Sequence, residues 1–134
     1  MIEEHAAAVL ALLNAAITTP RKVFDGKVPT GTDPEPNPYV LVRFDSNDPE
    51  FDFQAQPWQF EMTATCHCVG GSALAARQLA DVVRTALVGV VPVVSTRTCH
   101  PITREPGTPP QRDESTGVLV MDQIDQYTIR SVPG

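Results

Sequence analysis

The chain has 134 residues, 42% hydrophobic and 19% charged, with 10 Lys+Arg against 16 Asp+Glu for a formal net charge of −6. That length suits one domain around one core and leaves no room for a separate catalytic domain. An acidic balance with no basic stripe argues against a nucleic-acid binder, which needs clustered Lys/Arg to displace counterions.

Three cysteines, an odd number, fit a reducing compartment better than a disulfide framework. The opening Glu3-Glu4 is unlike the basic start of a signal peptide. The apolar run from Ala6 to Ile17 is too short to span a bilayer and is interrupted by Asn14.

Residues 2–18 predict a helix. Ala6, Val9, Leu10, Leu13, Ala16 and Ile17 form its apolar stripe, and Glu3 and Glu4 complement the dipole at its start. His5, in the first turn, reads as a surface residue. Thr18-Thr19-Pro20 ends the helix, and residues 21–29 follow as a short extended piece with a turn at Asp25-Gly26. Residues 29–38 carry too many prolines for a strand and form a loop. Residues 38–45 predict a strand, with Val40, Val42 and Phe44 on one side and Tyr39, Leu41 and Arg43 on the other. The acidic connection over 46–56 is longer than a tight hairpin needs.

From Trp58 to Cys68 apolar and polar residues alternate. Trp58, Phe60, Met62, Ala64, Cys66 and Cys68 share one face, and Gln59, Glu61, Thr63, Thr65 and His67 share the other. After Gly70-Gly71 the period becomes helical, with Leu79, Val82, Val83, Ala86 and Leu87 on one face. Ser72 stands as N-cap, and Gly89 marks the stop. Residues 91–105 form a β-rich run interrupted by Pro101, residues 106–115 a second loop, and residues 116–132 a last strand. Its apolar phase changes between Val118/Val120 and Tyr127/Ile129, which predicts a bulge near Asp122.

The expected fold class is α+β in a single domain over 1–134. It has a mainly antiparallel sheet of about four to five strands with two helices packed on one face, and long loops near 29–38, 46–56 and 106–115.

Cys66-His67-Cys68 and Cys99-His100 invite a zinc hypothesis. In a strand, however, Cys66 and Cys68 share a face while His67 points away, and buried packing is the ordinary fate of free cysteine. Asp45, Asp48, Glu50 and Asp52 lack the glycine and the bidentate glutamate of a calcium loop. No nucleophile elbow, phosphate loop, dinucleotide fingerprint or zincin motif is present. The expectation is no enzyme, no cofactor and no metal.

The segments VFDGKVP (23–29), PYVLVRF (38–44) and A-x-x-L-A-D-x-V-R-x-A-L (76–87), in this order and spacing, resemble the tail terminator proteins of long-tailed bacteriophages. This group also carries the names tail completion, minor tail and head–tail joining proteins. The likeness spans residues 5–130 and departs from the family in PGTPPQ and in the CHC triplet. It implies a structural virion protein that forms a hexameric ring at the head-proximal end of the tail. The ring stops growth of the tail tube and presents a joining surface to the capsid neck. It also implies a homo-oligomer with tube and neck proteins as partners, assembly in the host cytoplasm, and genome DNA passing the lumen without specific binding. No membrane is involved.

Under that reading the loops carry the contacts. The interface candidates are Asp45, Asp48, Glu50, Phe51, Asp52 and Phe53 in one loop, and Arg112, Asp113 and Glu114 in the other. The alternatives are another head–tail connector ring, of the stopper or head-completion type, and a small cytosolic module binding metal through Cys66, Cys68, Cys99 and His100.

Overall fold

The computed structural model of the protein describes residues 2–18, 21–26, 38–46, 59–105, 107–113 and 120–133. Trp58 lies outside them. The elements run α1 (Ile2–Ala16), β1 (Lys22–Asp25), β2 (Tyr39–Ser46), β3 (Phe60–Gly70), α2 (Ala73–Leu87), β4 (Arg97–Cys99), β5 (Thr103–Glu105), β6 (Gln111–Asp113) and β7 (Val120–Pro133).

The strands form one sheet in the order β1-β2-β3-β7-β4, with β5 and β6 also paired to β7. Only β1 and β2 run parallel; every other pair is antiparallel. The fifth position across the sheet is therefore a strand in three pieces, β4, β5 and β6, laid in turn along the far edge of β7. The expected architecture holds: a mixed, mostly antiparallel sheet with two helices, of α+β class.

Direct cross-strand partners share a face, so register decides what is inside. Val40, Val42 and Phe44 of β2 stand opposite Cys68, Cys66 and Ala64 of β3. Ala64 and Met62 in turn stand opposite Tyr127 and Ile129 of β7. Over this face lie Val9 and Leu13 of α1 and Leu79, Ala80, Val83 and Leu87 of α2, which complete one continuous buried cluster. Each of the larger side chains contributes about 1.5–3 kcal/mol by leaving water. Both helices thus cover the same face, and the core runs unbroken beneath them.

The turn between β3 and α2 follows its local chemistry. Ser72 is extended at φ −146° and ψ 163°, and its hydroxyl accepts from the Ala75 N–H at 3.1 Å. Gly70 is buried because a Cβ there would come within 2.8 Å of Ala75 Cβ and 2.9 Å of Ala76 N. The missing side chain lets the start of α2 sit directly on the end of β3. Gly89, at φ 77°, turns the chain out of α2.

Three expectations are corrected. β3 and β7 keep one register without a break from Phe60↔Ser131 to Gly70↔Met121, so no bulge interrupts that pairing at Asp122. The change of phase has another cause: Gln123 and Asp125 are polar residues on the helix-covered side, and both are buried. His5 is fully buried rather than at the surface. Its ring lies 4.3 Å from that of Phe60, and its Nε2 is hydrogen-bonded to Ser131 Oγ at 2.7 Å. The first turn of α1 packs onto the ends of β3 and β7, which takes that imidazole out of water. Within the expected loop over 106–115, residues 111–113 form β6 against Val120, Met121 and Asp122.

Candidate functional site

The two cysteines of β3 are buried in the core that α2 covers, Cys66 opposite Asp125 of β7 and Cys68 opposite Gln123. Burial, with the Asp125 charge adding to it, pushes the Cys66 thiol up to about 12. Burial raises Cys68 as well, and so do Cys66 and Asp125 beside it. These are neutral, packed thiols rather than nucleophiles at neutral pH.

Cys99 stands opposite Ser131 and Cys66 opposite Asp125. That separation along β7 is roughly 20 Å at the rise of a strand. His67 lies on the opposite face, with Nδ1 3.0 Å from Asp122 Oδ2. His100 is exposed, and its backbone N–H donates to the Arg130 carbonyl. The register therefore separates the four residues of the metal hypothesis, and among the described residues no group of three His, Cys, Asp or Glu is placed to hold an ion.

Asp125 is the polar residue that the sequence reading missed. It is fully buried, and Arg104 of β5 donates to its Oδ1 from Nη2 at 2.7 Å. Gln123 Nε2 donates more weakly to Oδ2 at 3.4 Å. Gly107 fits against the same carboxylate, where a Cβ would strike Asp125 Oδ1 and the Ile124 carbonyl. The Thr108 N–H donates to that carbonyl at 2.9 Å.

The Tyr127 hydroxyl lies beside the Arg104 guanidinium without hydrogen-bond geometry. Tyr127 Oη, Arg104 Nε and Gln123 Oε1 find no partner among the described residues. This cluster clasps the segment after β5 to β7. Following the period backwards from Ile129 through Tyr127 would have placed both Asp125 and Gln123 on the inner face.

A second clasp joins the chain ends. Arg97 of β4 donates from Nε to Ser131 Oγ at 3.1 Å and from Nη2 to the Ser131 carbonyl at 3.0 Å. The same hydroxyl holds His5. Ser131 and His5 are both fully buried, so the Ser–His contact ties α1, β7 and β4 together without access to a substrate.

Of the interface candidates, Asp45 is exposed near the end of β2, opposite Thr63, on the sheet face turned away from the helices. Arg112 is exposed on β6, and Asp113 ends that strand opposite Val120. Asp48, Glu50, Phe51, Asp52, Phe53 and Glu114 lie outside the described residues. Asp45 and Arg112 are on strands two or more positions apart in the sheet, so they do not form one cluster. No described helix is long and apolar enough to cross a membrane.

Among solved structures, the chain is similar to one from the virion of a native gene transfer agent particle. The two are 22% identical over 96% of this chain and 93% of that one, with a TM-score of 0.62. A second solved structure matches over 98% of this chain and 94% of its own, at 15% identity and a TM-score of 0.61. At these identities the likeness is one of fold. No protein-family model and no curated protein matches the chain.

Proposed function

We propose that the protein is a structural subunit of a phage-type virion, acting as a tail terminator ring at the head-proximal end of the tail tube. The observation that carries this reading is the end-to-end likeness to a chain of the gene transfer agent virion, which leaves almost none of either chain unmatched. The order of VFDGKVP, PYVLVRF and the α2 motif supports the same assignment. So does the chemistry of the interior, where the cysteines and the Ser–His pair are packed rather than presented.

In this role the subunits close into a hexamer through heterologous contacts. The loop residues Asp48, Glu50, Phe51, Asp52, Phe53 and Glu114, with Asp45, Arg112 and Asp113, meet neighbouring subunits or the tube. The acidic charge lets DNA pass without sticking. The protein works by binding and carries out no reaction.

Mass by light scattering, then negative-stain imaging with and without purified tail tubes, tests this. A six-membered ring seated on one end of the tubes is the expected result. A ring that binds the neck assembly and ignores the tubes would make it another connector. A monomer at every concentration, with or without tubes, would remove the ring altogether.

A further inference from the structure

Among the described residues, five large hydrophobic side chains are exposed, and three of them fall between residues 88 and 93: Val88 at 44%, Val91 at 51% and Val93 at 90%. The segment that carries them is firmly held. Gly89 N–H donates to the Ile102 carbonyl and Ile102 N–H to the Val90 carbonyl, both at 2.9 Å, while Arg97 N–H closes the turn onto the Val94 carbonyl at 3.1 Å. Pro92, between Val91 and Val93, and Val94, just after them, are buried. At the tip, Thr96 has φ 63°, a left-handed conformation that β-branched residues avoid because Cβ crowds the backbone. A strained residue in a pinned loop that holds valines in water marks a place built for contact.

Charge indicates what that contact is. From Thr85 to Thr96 there is no charged residue, and the stretch is bounded by Arg84 and Arg97. In a chain of net charge −6, copies repel one another, and the repulsion is least where one side of the contact carries no acid.

A fitting seat exists on the same chain. Both helices cover one face of the sheet. On the other, Leu41, His67 and Ile124 stand side by side across β2, β3 and β7, half-buried, with Thr63 and Thr65 along β3, Asp45 opposite Thr63 and Asp122 bonded to His67. An apolar projection free of acid at one place and a half-buried strip edged by carboxylates at another make a head-to-tail contact, the kind that closes rings.

We propose that residues 88–96 form the projection by which one copy of this chain docks on the outer sheet face of the next. This deepens the ring reading and rests on it.

Val91→Asp/Val93→Asp tests the contact, with Leu74→Asp as control, since Leu74 is exposed at the far end of α2. Both valines are mostly in water, so the double variant should fold with wild-type circular dichroism and melting. The concentration needed for assembly should rise about tenfold or more, while the Leu74 control assembles normally.

A benzophenone label on Val93→Cys should then cross-link to peptides of β2, β3 or β7 from an isotope-distinguished second copy. A wild-type ring that is untouched by the double variant overturns the projection and leaves the ring reading standing. Cross-links to α1 or α2 of the second copy overturn the proposed seat. A wild-type protein that never self-associates overturns both.

Discussion

Asp125 is a carboxylate with no exposure, set among two thiols and a tyrosine, and its partner Arg104 comes from β5. Removing one half of such a pair strands the other, which costs more than the pair itself is worth. Arg104→Met leaves that buried carboxylate unpaired and should destabilise the fold by about 3 kcal/mol, and Arg104→Met/Asp125→Leu should lie closer to wild type than Arg104→Met does. Urea midpoints of these variants would decide this. Tyr127→Phe works in the opposite sense. The hydroxyl is buried beside Arg104 and finds no hydrogen-bond partner among the described residues, so its loss should be neutral or stabilising by up to about 1 kcal/mol.

The raised thiols also make a pH prediction. An unfolded cysteine titrates near 9.0, whereas folded Cys66 stays neutral up to about 12. Cys68 is shifted the same way, and so is Tyr127, by burial first and Asp125 second. The folded state therefore holds its protons where the unfolded state releases them. Their contribution is complete below about pH 9 and falls as pH rises toward 12. Urea midpoints should be level from about pH 7 to 8 and decline above about pH 9.5, with native Cys66 and Cys68 inert to Ellman's reagent at about pH 8.

At the scale of elements, the β3–α2 joint separates two adjacent glycines. Gly70→Ala would drive a methyl into Ala75 and the Ala76 backbone, and should cost about 1–3 kcal/mol. Gly71 has open space around its Cβ position and no left-handed φ, so Gly71→Ala should stay within about 0.5 kcal/mol. Thermal melts of the two variants check both. This joint was readable in advance because strand alternation, the Gly-Gly pair, Ser72 and the helical period all agree locally. α1 and β2 were readable for the same reason.

What was not readable depended on partners distant in the chain. His5 looks exposed in a helix taken alone, and only docking against Phe60 and Ser131 buries it. The phase change in β7 looked like a bulge because a buried aspartate is expected only where a cation such as Arg104 meets it. β6 is three residues long, too short for any period to declare it. The valines after α2 read only as the start of a β-rich run, since composition does not show which side of a pinned loop faces water.

The molecule as a whole must assemble against its own charge. Copies at net −6 repel over a Debye length of about 30 Å at 0.01 M salt and about 10 Å at 0.1 M. If apolar contact between residues 88–96 and a neighbouring sheet face drives assembly, salt removes the opposing term and leaves the attraction intact. The oligomeric fraction, followed by light scattering, should therefore rise between about 0.01 M and about 0.1 M sodium chloride. Binding to duplex DNA should be absent throughout that range, since no cluster of Lys/Arg is available to release counterions. Assembly that weakens with salt would mean that ion pairs between copies, rather than the valines, hold the ring. Arg84, Arg112 and the acidic loop over 46–56 would then be the residues to change.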